Sequence, residues 1–472
     1  MGLTGEVSRF VATSRLDDVP ADTRQLAKRS ILDGIGLAVA GARSDVHRIA
    51  REHVAAAGSA QAASMLGTGM QGSLRGSAFV NGIGIHAHDY DDTQLAVAVD
   101  RVYGLLTHPT APVLPAALAL VEREDGSGED LLVAYLTGVD VACKVAEAID
   151  PRHYHDGFHT TGTAGTIGAA AAAARASHLD TERTAVALGV AASQSAGLRE
   201  NFGTMTKPFH AGRAAESGII AADLSARGMS AAGNILEARR GFFRAAGGGY
   251  DPALIEGRLG NPWVFADPGI SIKPHPSGSL THPAMWVVLQ LAREHDLDAA
   301  AVERVTVGTN SSMPNALIHH RPTNELQAKF SMEFCVAILL LERRAGLPEF
   351  SDEVVSRPDV RALIERVDFT VDERAEAAGY AEMLSFVRIE LRDGRVLEAR
   401  GAYGKGHPRN PMSDAELTDK FLGCMEWAGV PGSLGIEVAA RILALEHERS
   451  LRSLIRQLES HFSRRPKGAS RG

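Results

Sequence analysis

The 472-residue chain has little cysteine, few aromatic residues and no excess of positive charge. Its three cysteines, Cys143, Cys335 and Cys424, lie far apart without CxxC spacing, so buried free thiols are the simplest interpretation. Aromatic residues make up only 5%, whereas alanine and glycine are abundant, which favours closely packed helices over an aromatic-rich sandwich. The net charge of -8 argues against a nucleic-acid-binding protein, so an anionic ligand would need a local cluster of basic residues.

Long apolar segments are also missing. The run "GTIGAAAAAARASHL" is rich in alanine but is soon interrupted by arginine, so it does not predict a membrane span. The first residues, "MGLTGEVSRFVATSRLDD", lack the apolar core of a signal peptide. We therefore expect a cytoplasmic protein that binds neither membranes nor nucleic acid.

The pattern of apolar residues predicts more than one domain. Helical periodicity dominates up to about residue 245, as in "DTRQLAKRSILDGIGLAVAGA". Strand-like alternation then occurs in "VERVTVGT" and "SFVRIELRDGRVLEARGA", where Asp393-Gly394 predicts a hairpin turn. Helical patterns return in "MSDAELTDKFLGCMEWAG", with Ser413 and Glu416 at capping-box spacing. We predict a mainly α protein with a smaller α+β domain: a discontinuous helical domain (1–265 and 405–460), an α/β domain (266–404) and a disordered tail (461–472).

Residues 86–93, "HAHDYDDT", form a dense cluster of histidine and aspartate. A solvated turn, a metal site and the wall of a catalytic pocket are the three interpretations. His86 and His88 do not have HExxH spacing, and three carboxylates in a row cannot all point into one coordination sphere on a helix. We favour a set of carboxylates held by hydrogen bonds beside a pocket, with no metal.

Three further segments carry basic residues that suit an anionic ligand. The first, 153–163, places a histidine before a long helix of small residues, where backbone N–H groups attract anions. The second, 201–218, and the third, 272–285, combine lysine, histidine and arginine with glycine-containing loops. The candidate residues in these segments are His159, Lys207, His210, Arg213, Lys273, His275 and His282.

Motifs for nucleotide binding and for serine hydrolases are missing. "GTAGTIG" has GxxGxxG spacing, and no strand precedes it, as a dinucleotide site would require. The chain contains no Walker sequence, and its G-x-S-x-G match, "GASRG" at 468–472, lies in the predicted tail and not at a strand-to-helix elbow.

Taken together, six segments resemble the MmgE/PrpD family, in the family's order and over residues from about 25 to 440. They are "NGIGIHAHDYDDT", "THPTAPVLPAALAL", "GFHTTGTAGTIGAAAAAA", "NFGTMTKPFHAGRAAESGIIAA", "IKPHPSGSLTHPAM" and "KFSMEFCVAILLL". The resemblance implies a large helical domain, a smaller lid-like α/β domain, a homodimer and a site between the domains without a cofactor. It also implies a small di- or tricarboxylic acid as substrate. The implied pocket residues are Asp89, Thr93, His108, His159, Lys207 and His282.

The resemblance leaves the outcome of the reaction open among dehydration, epimerisation and decarboxylation. Fourteen residues separate Thr93 from His108, more than in relatives, so we expect substrate choice to be determined there. No tyrosine occurs at 313–320, where cis-aconitate decarboxylases have one. We expect a dehydratase acting on a 2-methylcitrate-like hydroxy acid, with a decarboxylase or an epimerase as alternatives. A metal-dependent hydrolase and a non-catalytic carboxylate-binding protein are the competing classes.

The expected mechanism begins with removal of a proton next to a carboxylate. Without a metal, this step needs a placed base and stabilisation of the enediolate that forms. Lys207 and His159, helped by Arg213, are expected to bind carboxylates. His108 or Asp89 would transfer the proton. Thr93 and Asp92 are expected to order the loop, and His282 is expected to protonate the departing hydroxyl.

Overall fold

The computed structural model of the protein describes residues 2–58, 60–98, 100–101, 103–379 and 382–463. Over these residues the chain is mainly helical, with one four-stranded mixed sheet and two small two-stranded ones. The predicted mainly α fold with a smaller α+β part is confirmed. No helix in these ranges is both long and apolar enough to cross a membrane.

The first part of the chain forms twelve helices and four very short strands within the described residues. The helices are α1 (Leu3–Thr13), α2 (Ala21–Gly41), α3 (Asp45–Ala56), α4 (Leu74–His86), α5 (Tyr103–Leu106), α6 (Thr110–Glu124), α7 (Gly128–Ala148), α8 (Arg152–His155), α9 (Thr160–Ala176), α10 (Thr181–Ala192), α11 (Thr206–Ala226) and α12 (Phe242–Gly247). The strands are β1 (Ala63–Met65), β2 (Met70–Gly72), β3 (Thr93–Gln94) and β4 (Ile270–Ser271).

The alanine-rich helix α9 lies at the centre of this helical part, and Arg175 is its one residue that is not buried. It packs against α6, α7 and α11. Small residues allow this close packing: a Cβ on Gly138 of α7 would lie 2.8 Å from the carbonyl oxygen of Gly168 in α9. The abundance of alanine and glycine therefore has the structural consequence expected from the composition.

The smaller part follows, with its sheet in the order β6–β5–β7–β8. Strands β5 and β6 are parallel, and the other two pairings are antiparallel. The predicted strands and hairpin are confirmed. The elements are α13 (His282–Glu294), β5 (Val302–Thr309), α14 (Glu325–Ala328), α15 (Met332–Glu342), α16 (Asp352–Val355), α17 (Pro358–Ile364), β6 (Val367–Val371), α18 (Glu373–Ala378), β7 (Ser385–Leu391) and β8 (Val396–Gly401).

Three helices complete the described chain: α19 (Asp414–Trp427), α20 (Gly432–Leu443) and α21 (Leu451–Ser463). Helix α19 begins with the predicted capping box between Ser413 and Glu416. Its buried side chains, including Phe421 and Met425, belong to the same apolar core as the N-terminal helices, whereas the sheet has a core of its own with α13, α15 and α17. Helix α21 extends to Ser463, three residues into the predicted tail, and residues 464–472 of that tail lie outside the described residues. The division into domains at residues 265 and 405 stays a prediction.

Candidate active site

Two glycines bring the helices that carry the site together. A Cβ on Gly82 of α4 would lie 2.8 Å from the Cα of Gly212 in α11, and a Cβ on Gly212 would lie 2.4 Å from the carbonyl oxygen of Phe79. Any larger residue would force α4 and α11 apart. Since α4 ends at His86 and Lys207 lies in the first turn of α11, this contact places the "HAHDYDDT" segment beside the basic segment 201–218.

Asp89 is the centre of the site. Its Oδ1 accepts hydrogen bonds from Lys207 Nζ at 2.6 Å and from Lys273 Nζ at 2.7 Å, and Lys273 also donates to the Asp89 carbonyl oxygen at 2.9 Å. All three side chains are at most 6% exposed. Burial alone would raise the pKa of Asp89, but the charges of Lys207 and Lys273 outweigh it and hold that pKa well below its usual range. Asp89 is therefore an anion between two cations.

Burial lowers the pKa of Lys207, and the positive charge of Lys273 adds to this effect. The charge of Asp89 opposes it. Asp89 itself adopts a left-handed backbone conformation, with φ of 50°. Such a conformation is unfavourable for most residues other than glycine, and in folded proteins it concentrates at functional sites. Its Oδ2 is buried and accepts no hydrogen bond from a described residue.

A small cavity lies against this ion-pair cluster. Asp89, His108, Lys207 and Lys273 contribute to its wall, together with apolar residues from both parts of the fold. Its volume is about 30 Å³, so it has room for no more than about two water molecules. The aromatic part of the wall comes from Phe202 and Phe330, whose rings stack 6.0 Å apart. A polycarboxylate would have to displace side chains here or extend beyond this space.

His108 has the hydrogen bonds of a proton acceptor. Its Nδ1 lies 2.8 Å from the carbonyl oxygen of Asp92, which can only accept, so Nδ1 carries the proton. Burial lowers the pKa of His108 well below its usual value, and the charge of Lys273 lowers it further. The ring is therefore neutral at pH 7, and its Nε2 has a free lone pair. The backbone N–H of His108 is fixed by Thr161 Oγ1 at 3.0 Å.

Two more histidines lie beside His108. The ring centre of His86 is 4.8 Å from that of His108, and that of His159 is 6.4 Å away. His86 Nδ1 pairs with Asp91 Oδ2 at 2.8 Å. His159 Nδ1 lies 3.0 Å from His210 Nδ1, so these two atoms share one proton between them. Burial lowers the pKa of His159 well below its usual value and that of His210 to about 4.

The loop before α13 supplies the opposite side of the site. Thr93 Oγ1 and Ser279 Oγ lie 2.7 Å apart, and β3 pairs with β4 just before Lys273. His282 begins α13, with its Nε2 3.3 Å from Ser277 Oγ. Burial lowers the pKa of His282 well below its usual value, and the neighbouring charges of His275 and Lys273 act in the same direction. His282 therefore lies close enough to Lys273 for the charge of that lysine to affect it.

Two predicted site residues, Arg213 and His275, lie away from the cavity. Arg213 was expected beside Lys207 and His210, but its side chain is 44% exposed and pairs with Glu216 at 2.8 Å on the surface of α11. His275 lies behind His282 and donates from Nδ1 to the Ala345 carbonyl oxygen at 2.9 Å, which leaves it outside the cavity wall. His108, Lys207 and Lys273 line the cavity with Asp89, Thr93 lies beside His108, and His159 and His210 belong to the imidazole cluster.

His86 was not among the candidate site residues predicted from the sequence. The structure places His86 within the imidazole cluster, with Asp91 as its partner. The five-residue spacing between a buried helix-end histidine and an aspartate was the available signal. Phe202 and Phe330, in the cavity wall, carry no comparable signal because apolar residues are common in any core.

The same histidines and carboxylates could hold a metal ion. His86, His108 and His159 offer ligand atoms within 4.8 Å of one another, as do His86, Asp89, Asp91 and His108. Imidazole and carboxylate groups suit several divalent ions. The two lysines on Asp89 already neutralise one of these carboxylates, and their positive charges oppose a cation at this position. The donor set therefore permits a metal, but its electrostatics favour an anion.

Comparison with known proteins agrees with the arrangement of the chain. The model of the MmgE/PrpD N-terminal domain matches residues 5–255, and that of the C-terminal domain matches residues 275–441. The chain belongs to the MmgE/PrpD family. It is an enzyme of the MmgE/PrpD type, because its curated relatives are lyases of that family.

Three of these relatives cover most of the chain. The cis-aconitate decarboxylase of Homo sapiens is 29% identical over 416 residues, which span 84% of this chain and 82% of the relative. The enzyme of the same name from Mus musculus is 28% identical over 412 residues, 84% and 81% of the two chains. That of Aspergillus terreus is 28% identical over 448 residues, 89% and 88% of the two chains.

Proposed function

We propose that this MmgE/PrpD enzyme is a cofactor-independent dehydratase of a small di- or tricarboxylic hydroxy acid. In this reaction a proton leaves the carbon next to a carboxylate, and the hydroxyl group on the adjacent carbon leaves as water. The product is an unsaturated acid. A 2-methylcitrate-like compound has the required groups.

One observation carries this proposal: two buried lysines share a carboxylate beside a neutral imidazole in the same cavity wall. Lys207 and Lys273 share Asp89, with His108 in the same cavity wall and His282 close enough for the charge of Lys273 to lower its pKa. A β-elimination needs a proton acceptor for the C–H bond and a separate proton donor for the departing hydroxyl. His108 and His282, both influenced by the charge of Lys273, are the two imidazoles proposed for these tasks.

The roles follow from the contacts. The ammonium groups of Lys207 and Lys273 bind the substrate carboxylate and stabilise the enediolate in a water-poor space. Since Nε2 of His108 is the unprotonated nitrogen, it accepts the proton. Neutral His282 then gives its one ring proton to the departing hydroxyl group, and the proton taken up by His108 restores it afterwards. His159 and His210 share a proton within the imidazole cluster beside His108.

Decarboxylation is the second candidate, and the names of the curated relatives favour it. It would use the same lysines and the same enediolate-like intermediate, with loss of CO2 in place of water. Against it, the wall at residues 316 and 317 consists of Ala316 and Leu317, whereas the resemblance implies a tyrosine in this region of cis-aconitate decarboxylases. Apolar side chains there cannot donate a proton.

The test is proton NMR in D2O with citrate-like, malate-like and iminodisuccinate-like acids. Dehydration yields a vinyl signal, whereas decarboxylation yields a product with one carbon fewer. Epimerisation yields exchange at the α carbon with inversion. Only CO2 loss, or only inversion, across the whole panel would overturn dehydration.

Two variants test the roles in the same assay. His108→Ala should lower kcat by about 10²- to 10⁴-fold, because the proton acceptor is lost. Lys207→Ala should cost about 10²-fold or more, because the enediolate loses a cation. Unchanged circular dichroism is the control for folding, and full activity of either variant would remove that residue from the mechanism. Activity that disappears with a chelator and returns with a divalent ion would instead support a metal-dependent reaction.

A further inference from the structure

A second and larger cavity adjoins the candidate active site. Its volume is about 300 Å³, ten times that of the inner cavity. Leu106, Leu280 and Ala316 contribute to the walls of both cavities, so they separate the two spaces. Since the inner cavity has room for only about two water molecules, part of any polycarboxylate bound to Lys207 must lie elsewhere. The outer cavity is the adjoining space.

The outer cavity contains a cation that ordinary contacts do not fully satisfy. Arg199 stacks on the Tyr154 ring with Cζ 3.6 Å from its centre, and Nη1 donates to the Tyr154 carbonyl oxygen at 2.8 Å. Its Nε is buried and donates to no described residue, and the hydroxyl of Tyr154 is likewise buried without a hydrogen-bond partner among them. A buried donor without an acceptor is unfavourable, which suggests that a ligand supplies the acceptor.

Arg101, the other arginine in this wall, differs from Arg199. It donates to Asp100 Oδ1 at 3.0 Å and to the carbonyl oxygens of Glu147 and Ile149. Its charge and its donors are therefore already paired. Arg199 and Tyr154 therefore offer a ligand one guanidinium and one phenol, which suits a single carboxylate.

The aromatic ring of Phe202 relates Arg199 to the active-site lysine. Arg199 Cζ lies 5.9 Å from the Phe202 ring centre and Lys207 Nζ lies 5.4 Å from it. Both charges are within 6 Å of one point, so they are at most about 12 Å apart. Each ionic contact spans about 3 Å, so the acid itself has to cover only the rest of that distance. A short polycarboxylate can therefore place one carboxylate near each of the two charges.

We propose that Arg199 and Tyr154 form a subsite for a distal carboxylate of the substrate. The reacting end binds at Lys207 and Lys273, and a carboxylate-bearing arm extends past Leu106 to Arg199. The substrate class is then an acid with at least one carboxylate beyond the two reacting carbons, such as a tricarboxylate. This inference rests on the proposed function for the placement of the reacting end.

The test compares matched acids by isothermal titration calorimetry, which requires no turnover. Citrate carries a carboxymethyl arm that malate lacks, and tricarballylate bears the same relation to succinate. Arg199→Ala should weaken binding of both tricarboxylates by about 10- to 100-fold, the effect of one lost charge-assisted hydrogen bond, and should change the dicarboxylates by less than about 2-fold. Tyr154→Phe should show the same selectivity with a smaller loss. The matched control is Arg213→Ala, an arginine that pairs on the surface with Glu216.

The outcomes separate this subsite from the reaction itself. An equal loss for both classes of acid in Arg199→Ala, or no loss, overturns the subsite even if the enzyme is a dehydratase. Failure of the wild type to bind either tricarboxylate also overturns it. If Arg199→Ala weakens binding of the tricarboxylates alone and the wild type dehydrates none of the acids, the subsite is supported and the proposed reaction is refuted. Thermal melting of Arg199→Lys shows whether the residue is needed for folding, and that variant should retain part of the arm selectivity.

Discussion

Replacement of Asp89 by asparagine tests the electrostatics of the site most directly. In the wild type one carboxylate oxygen serves two ammonium groups, at 2.6 Å and 2.7 Å. Asparagine has almost the same shape and still offers one oxygen, so the change removes charge rather than volume. Asp89→Asn leaves Lys207 and Lys273 as two buried cations without an anion between them.

The expected loss of stability is large. Removing one partner from a buried ion pair costs about 3–5 kcal/mol, because an uncompensated charge remains in a poorly solvated place. Here all three side chains are at most 6% exposed, so solvent screens the charges little. We expect Asp89→Asn to lower the free energy of unfolding at pH 7 by at least about 3 kcal/mol, equivalent to more than a 100-fold change in the unfolding equilibrium.

The dependence on pH gives a second measurement. The folded-state pKa of Asp89 lies well below its unfolded value, so its contribution is present above that unfolded value and is lost as the pH falls through the folded pKa. Urea denaturation should therefore show a constant gap between wild type and Asp89→Asn from about pH 5 to 8, narrowing only in stronger acid. A gap below about 1 kcal/mol at pH 7 would refute the buried ion-pair interpretation.

A double variant identifies the cause. If the cost comes from an uncompensated lysine, Asp89→Asn combined with Lys273→Met should be more stable than the sum of the two single losses predicts. Directly interacting residues show coupling energies of about 0.5–3 kcal/mol. Strict additivity would mean that the two side chains do not interact.

The remaining predictions concern other groups. Burial raises the pKa of Asp92 to about 7, so the free energy of unfolding of the wild type should fall as the pH rises from about 4 to 7. Asp92→Asn should lack this pH dependence. In urea denaturation, the stability of the variant relative to wild type should therefore increase toward pH 8. An equal gap at pH 5 and pH 8 would contradict this. Because burial holds the pKa of His108 well below 6.5, kcat/KM should show no acid limb near pH 6.5; a limb there would mean a different base. Arg213→Ala should change kcat/KM by less than about 2-fold, since its exposed pair with Glu216 contributes little.

Local patterns in the sequence were sufficient for most of the fold. Alternation of Val305 and Val307 with polar residues predicted β5, and Asp393-Gly394 predicted the hairpin, because both signals depend on neighbours in the chain. The capping box at Ser413 worked for the same reason. The end of α21 was missed because the polar sequence after residue 460 resembles a disordered tail, and local composition does not show where helix packing ends.

The sequence indicated most of the residues near the site but not which of them contact one another. Lys273 and Asp89 are 184 residues apart, and no local rule predicts that they meet. Arg213 was wrong for a geometric reason. Three residues turn a helix by about 300°, so Lys207, His210 and Arg213 each lie about 60° back from the one before. Arg213 is then about 120° from Lys207 around α11 and about 1.7 turns further from the helix end that faces the cavity.

The three aspartates of "HAHDYDDT" show what spacing can and cannot determine. Asp89 binds two lysines, Asp91 binds His86, and Asp92 accepts from the backbone N–H and hydroxyl of Thr110. Each carboxylate thus has its own partner. Charge distinguishes them further: the pKa of Asp89 is held low by cations, whereas burial raises that of Asp92. Adjacent, identical side chains therefore serve as counter-ion, histidine partner and loop anchor, and only their long-range partners decide which is which.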